Sequence, residues 1–495
     1  MEKNGSMDNF EIIHAASVAK WDDETDVIVI GLGAAGASAA IEAKQAGADV
    51  LVIERASGGG GTTAMAAGHV YAGGGTPVQQ ATGFEDSAEA MFNYYMAVTP
   101  DPDEKKIRLY CDESVNHFNW LEAQGVPFNR TYYPYKNVYQ PTDECLIWTG
   151  NEKVWPYREK AVPAPRGHKV AREGDNGGAL LMEKLIEKTK ALGVRITVDA
   201  GVKNLVIDKG RVVGVRYKQF DDIRFVKARQ GVIIAAGGFA MNKDMLAEYC
   251  PRLAHKRIYK QGNPNDDGSG ILLGLAAGGV AKHMDGCFLT SPIYPPEKLL
   301  NGILVNKNGE RFVAEDSYHS RTAKFCMDQP DGTVYLIVDN ECFARPELVG
   351  QQLIDGWETI ADMEAGLQLP EGALQKTMAD YNAHAANHQD PVFHKYKDWL
   401  QPLVNPPYAA FECSFGKAFY IGFTLGGLAT SVDAEVLDAN NKPIPGLYAA
   451  GACASNIAQD ANGYSSGTCI GESTFFGRRA GVAAALQDII KLHAT

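Results

Sequence analysis

Gly31, Gly33 and Gly36 stand in the run Gly31-Leu32-Gly33-Ala34-Ala35-Gly36, and Glu54 follows eighteen residues after the last of them. Glycines at this spacing can hold a dinucleotide. The first makes a tight turn, the second lets backbone approach a pyrophosphate, and the third lets a helix and a strand pack closely. A carboxylate at Glu54 can accept hydrogen bonds from ribose hydroxyls. That chemistry needs a strand before the turn and a helix after it. Residues 26–30 are a β-branched apolar run suited to a strand buried on both faces. An Ala-rich helical stretch reaches about Ala46, and residues 49–53 form a second strand ending at Glu54. Strand, turn, helix, strand and acid thus occur in order. NAD and FAD both remain open at this point, and the plain alternative is a glycine-rich turn with no ligand.

The next segment favours FAD. A nicotinamide domain usually continues into another helix, whereas residues 55–68 are small and flexible. Arg55, Ala56, Gly61, Thr62, Thr63, Ala66 and Gly68 lie in this loop, whose backbone N–H groups can line a long cofactor. Downstream, residues 229–239 read as a buried strand running into Ala236 and Gly237. Residues 446–452 repeat the design up to Gly451 and Ala452. Both would bring strand ends to the crevice of a doubly wound sheet.

The bulk composition narrows the function classes. A chain of 495 residues implies more than one domain. Its net charge of −13, from 47 basic and 60 acidic residues, argues against a nucleic-acid partner. Nine cysteines are scattered without a CxxC pair, which argues against a metal site or a disulfide framework and for a reducing cytoplasm. The N-terminus lacks a signal-peptide core and no apolar run is long enough to span a membrane. The 52 glycines exceed the average share of roughly 7%; their clusters with Ala, Ser and Thr suit backbone packed against a ligand.

Together with the segments 266–270, 303–306, 309–312 and 476–481, these features resemble the flavoprotein family of succinate dehydrogenase, fumarate reductase and 3-ketosteroid dehydrogenases, over about residues 25–488. The resemblance implies an α/β fold: a Rossmann-like FAD-binding domain, residues 24–285 plus 408–490, with an inserted α+β catalytic cap domain, residues 286–407. Residues 1–23 would be an N-terminal extension. Pro-rich stretches at 291–296 and 405–408 fit these boundaries. The resemblance also gives Val202, Asp267, Gly467, Thr468 and Ile470 to the cofactor. The last helix would direct its N-terminal dipole at the flavin pyrimidine. No histidine occupies the loop position that carries covalent flavin in membrane-bound relatives, so FAD should bind non-covalently.

The residues that clamp a dicarboxylate in fumarate reductases are missing. Their positions fall on His319, Phe423 and Tyr464, and a neutral, aromatic site cannot offset the desolvation of a dianion. Tyr318, Tyr464 and Ser466 instead resemble the catalytic set of the 3-ketosteroid Δ4-(5α)-dehydrogenases. The turn lacks the Tyr-Pro-Gly-Pro-Gly sequence of the Δ1-dehydrogenases. The resemblance implies introduction of a C4–C5 double bond during steroid degradation. Tyr464 would stabilise the enolate, Ser466 would take the carbon-4 proton, Tyr318 would relay it, and hydride would pass from carbon 5 to flavin N5. Phe419, Tyr420 and Phe423 are expected in the substrate pocket, and the aromatic loop 130–139 could form another wall. The electron acceptor has no signature. The competing readings are a related enzyme acting on another enone or 3-ketosteroid position, a fumarate-reductase-like enzyme, and a flavin-binding protein without turnover.

Overall fold

The computed structural model describes residues 10–348 and 350–493; the first nine residues of the expected extension lie outside them. The apolar run ends strand Asp23–Ile30, in which Val27, Ile28 and Val29 are fully buried. This strand pairs in parallel with Val50–Ile53 on one side and with Asp222–Ile234 on the other. Such burial from both faces is what a β-branched run without alternation demands. The whole sheet has nine strands. Ile13–His14, Ala200–Asp208 and Arg211–Gln219 extend it on one side and Arg195–Thr197 on the other. The pair Glu435–Leu437 and Pro443–Ala449 joins Asp222–Ile234 as well. A register shift between Ala228 and Gly231 divides the long strand. Its first part pairs antiparallel with Arg211–Gln219, and its last residues pair in parallel with Pro443–Ala449.

Part of the expected extension belongs to this sheet. Ile13 and His14 pair in parallel with Val206 and Ile207, because the outer edge of Ala200–Asp208 would otherwise present unpaired backbone groups.

Small residues fix the distance between the first and last long helices. A β-carbon on Gly477 would lie 2.4 Å from the Ala35 carbonyl oxygen, and one on Gly481 would lie 2.3 Å from that of Ala39. The four-residue spacing puts both glycines on one face of Thr468–His493, against the alanine face of Ala34–Gln45.

Three of the smaller sheets matter here. One holds His69–Tyr71, Gly167–Lys169 and Leu146–Ile147; another holds Ile258–Lys260, Tyr420–Thr424 and Cys287–Thr290. The third is antiparallel, in the order Ile303–Asn306, Val334–Val338, Tyr408–Glu412, Gln352–Trp357. It takes in Tyr408–Glu412, so its pairing runs past the Pro406-Pro407 step at which the sequence suggested a boundary. Among the described residues, no helix is long and apolar enough to cross a membrane.

A buried ionic cluster holds the segment leading to Tyr318. Arg311 Nη2 lies 2.8 Å from Glu315 and 2.9 Å from Asp390, and Lys395 Nζ lies 3.5 Å from Glu315. Arg311 holds both carboxyls below their usual range against the opposing effect of burial. Removing one partner of such a cluster strands charges in a poor dielectric. Arg311→Met should lower the unfolding free energy by about 3–5 kcal/mol, read from denaturant melts. A loss below about 1 kcal/mol would mean that the cluster is solvated.

Candidate active site

One cavity of about 810 Å³ joins the glycine turn to the Tyr464–Ser466 turn. Gly31 has φ +99°, and a β-carbon there would come within 2.4 Å of the Ala235 carbonyl oxygen, so only glycine makes this turn. Gly33 is different: a β-carbon there would meet nothing within 4 Å. That open space above exposed backbone is the cradle a pyrophosphate needs. Gly36 is off the cavity wall, since its β-carbon would lie 2.0 Å from the Gly31 carbonyl oxygen. It supplies the close helix–strand packing. Ala34 and Ala35 line the cavity beside Gly33.

Glu54 is 9% exposed at this wall. Its Oε2 accepts the Leu32 N–H at 2.7 Å and its Oε1 accepts the Ala56 N–H at 2.7 Å. Each oxygen keeps a lone pair for a ribose hydroxyl. Arg55, Ala56, Gly61, Thr62, Thr63, Ala66 and Gly68 all line the cavity, as do Val202, Ala236, Gly237, Gly451, Ala452, Gly467 and Ile470. The first-turn N–H groups of Cys469 and Ile470, which a helix leaves without internal partners, stand at the same wall.

Besides Gly36, two residues expected at the cofactor, Asp267 and Thr468, are not on the cavity wall. Asp267 is turned away from the cavity, ion-paired with Arg55 and accepting the Ser269 N–H at 3.0 Å. The start of helix Ser269–Ala276 claims that carboxylate, as helix N-termini do. The inward acid is Asp266, hydrogen-bonded by the Thr62 hydroxyl, and burial raises its carboxyl to about 6. Thr468 is also off the wall. Its hydroxyl bonds Tyr95 at 3.0 Å and its N–H donates to Ser465 O at 3.1 Å.

At the other end, Tyr464 and Ser466 line the cavity while Tyr318 lies behind them, 3% exposed. The Tyr318 hydroxyl is hydrogen-bonded to Ser466 Oγ. Burial pushes the Tyr318 and Tyr464 phenols well above their ordinary value, so both remain protonated at neutral pH. The neighbouring Ser465 faces the opposite way, its Oγ 2.8 Å from the Tyr94 hydroxyl. Several anchors fix this choice. Ser466 N–H donates to Thr149 O at 2.9 Å, Arg321 donates to Asn462 Oδ1 at 2.6 Å, and Gln459 donates to Asp101 O at 2.6 Å.

Strand alternation decides the aromatic wall. Phe419, Ile421 and Phe423 face the cavity. Tyr420, one residue out of phase, is 1% exposed and its hydroxyl donates to Cys413 O at 3.0 Å. Tyr420 belongs to the core and not to the pocket, because side chains in a strand alternate faces. Phe288, unmarked in the sequence, completes the wall, 4.7 Å from Phe423 in a stacked pair and 4.7 Å from Tyr464 edge-on. From loop 130–139, Val138 and Tyr139 reach the cavity. His319, Phe423 and Tyr464 do converge. Burial lowers the His319 imidazole to about 3, so it is neutral, with Nδ1 2.6 Å from Thr290 Oγ1. The Lys and Arg residues on the cavity wall, Arg55 and Lys203, stand beside Gly201 near Glu54. Among the described residues that line the cavity, no Lys or Arg is at the Tyr464 end.

The sequence model of the FAD binding domain family matches residues 26–468. A 3-oxo-5-alpha-steroid 4-dehydrogenase of Comamonas testosteroni is 31% identical, the match covering 89% of this chain and 94% of that one. The crystal structure of a 3-ketosteroid-delta4-(5alpha)-dehydrogenase from Rhodococcus jostii RHA1, in complex with 4-androstene-3,17-dione, is 42% identical. It superposes with a TM-score of 0.90 over 96% of this chain and 99% of that one. A fumarate reductase (cytochrome) of Shewanella frigidimarina is 29% identical over 95% of this chain and 79% of its own. The cofactor is FAD, and the open backbone at Gly33, the Glu54 carboxylate and the Cys469–Ile470 N–H groups fit it.

Gly33 has φ −85° and ψ −168°, which any residue adopts. Gly33→Val should therefore fold yet fill the cradle. The expected result is colourless protein whose melt matches that of wild-type apoprotein; yellow protein at full flavin stoichiometry would contradict the cradle assignment. Glu472 gives a second test. It accepts the Ile457 and Ala458 N–H groups at 2.8 and 3.2 Å, and burial raises it from 4.5 to about 7. The folded state thus holds a proton that the unfolded chain has released, and this stabilisation, complete below 4.5, is lost as pH rises through about 7. Between about pH 5 and about pH 8, wild type should lose about 3 kcal/mol more stability than Glu472→Gln; parallel stability–pH curves would exclude it.

Proposed function

The chain belongs to the FAD binding domain family, and on that premise we propose that it oxidises a 3-ketosteroid, introducing a double bond between carbons 4 and 5. One observation carries the reading: a Ser466–Tyr318 hydroxyl pair beside protonated Tyr464, on a neutral aromatic wall of the cofactor cavity. The flat apolar faces of Phe288, Phe423 and Phe419 suit a fused-ring hydrocarbon. A dicarboxylate-reducing alternative is disfavoured by the same wall, which offers no charge to replace the water around two carboxylates.

The proton at carbon 4 is acidified by the adjoining ketone. Tyr464 donates its hydroxyl hydrogen to the ketone oxygen as negative charge builds there, in a buried setting where such a bond counts for more than in water. Ser466 Oγ takes the carbon-4 proton. A lone serine is too weak a base, so its own hydroxyl proton moves along the existing hydrogen bond to the Tyr318 oxygen as Tyr318 gives up its hydroxyl proton, which ends in bulk water once the site opens. Bound FAD supplies the acceptor for the hydride that leaves carbon 5. Gly33, Ala34 and Ala35 would hold its pyrophosphate, Glu54 its ribose, and the Cys469 and Ile470 N–H groups its flavin ring.

The same reading takes the nine-stranded sheet as a Rossmann-like FAD domain and the antiparallel sheet of 303–412 as part of an inserted α+β cap. Non-covalent attachment and a cytoplasmic place belong to it as well, the latter supported by nine unpaired cysteines.

Anaerobic mixing with a 5α-reduced 3-ketosteroid should bleach the flavin. Tyr464→Phe and Ser466→Ala should each retain FAD yet slow bleaching by about 10²-fold or more, and Tyr318→Phe by about 10-fold or more. Wild-type bleaching rates in either of the first two variants would sink the residue roles. No bleaching in wild type, with reoxidation of reduced enzyme by fumarate, would favour the dicarboxylate reading.

A further inference from the structure

Phe10, ahead of the first paired strand, lines the same cavity as the glycine turn. Two contacts hold it there. Ile13 and His14 pair with Val206 and Ile207, and Asn204 Nδ2 donates to Glu11 O at 2.7 Å. Phe10 is thus fixed next to the strand that presents Ala200, Gly201, Val202 and Lys203 to the cavity.

Backbone hydrogen bonds identify which end of the trough this is. Ala200 N–H donates to Glu54 O at 2.9 Å, and Asp199 N–H donates to Ala56 O at 3.0 Å. A β-carbon on Gly201 would lie 3.9 Å from Arg55 Cγ and 4.0 Å from Lys203 Cε. The Phe10 end is therefore the Glu54 end. If Glu54 takes the adenosine ribose, the purine lies beyond it, between the Val202 wall and whatever covers that wall. We propose that Phe10 is a cofactor-binding residue, its ring covering the adenine of FAD. Residues 10–14 are then a strap over the cofactor, tied down by one short strand. The inference rests on the FAD reading.

A ring stacked on a base is sequence-tolerant but needs an aromatic face. The test uses full-length protein stripped of flavin, with FAD and FMN as probes and binding read from flavin fluorescence. FMN ends at its phosphate and has no adenosine. Phe10→Ala should raise the Kd for FAD about tenfold, leave that for FMN unchanged, and melt like wild-type apoprotein; Phe10→Trp should restore FAD binding. An unchanged FAD Kd in Phe10→Ala overturns the proposal, as does equal weakening of FAD and FMN. Wild type that binds no FAD would instead remove the FAD reading, and the proposal with it.

Discussion

Close backbone approach between the first and last helices is the constraint on which the rest depends. Gly477 and Gly481 admit the carbonyls of Ala35 and Ala39 where any side chain would collide. Residues more than four hundred apart in sequence are thereby held at one distance. The N-terminus of Ala34–Gln45 carries the glycine cradle, and that of Thr468–His493 carries the N–H groups at the cavity and follows directly on Ser466. Two helix N-termini directed into one cavity make a strong field for an anionic ligand. Neither would be positioned without the contact between the helices.

The Tyr464 end of the cavity works by a different principle. Few charges stand there, and burial controls protonation. It keeps Tyr318 and Tyr464 protonated and His319 neutral, so hydrogen bonding rather than ion pairing is what this wall offers a ligand. The formal charges that hold the scaffold, Arg311 with Glu315 and Asp390, lie farther out and fix the segment that carries Tyr318.

What was legible in the sequence depended on range. The Gly31–Gly36 turn, Glu54 and the loop to Gly68 were readable because their geometry is local and each glycine has a separate steric reason. Adjacent acids were not: Asp266 and Asp267 differ only in which of them the following helix claims. Tyr420 was a readable error, since the period of a strand separates it from Phe419 and Phe423. Phe288 and Thr290 were beyond reach, because strand pairing between Cys287–Thr290 and Tyr420–Thr424 brings them to the wall, and the start of helix His319–Met327 sets His319 beside them. The sheet joining Ile13–His14 to Ala200–Asp208, and the one reaching Tyr408–Glu412, are long-range pairings of the same kind.

The enclosure of Tyr318 bears on isotopes. A hydrogen lodged on Tyr318 sits behind the cavity wall, on a phenol that is 3% exposed, and would exchange with bulk water only when that wall opens. While a ligand covers Ser466, the label at its acidic carbon can be handed back to the carbon it left. Under the proposed relay the buried pair would act as a short-term memory for the hydrogen, and washout of label into solvent would clock the opening of the site rather than the breaking of the bond.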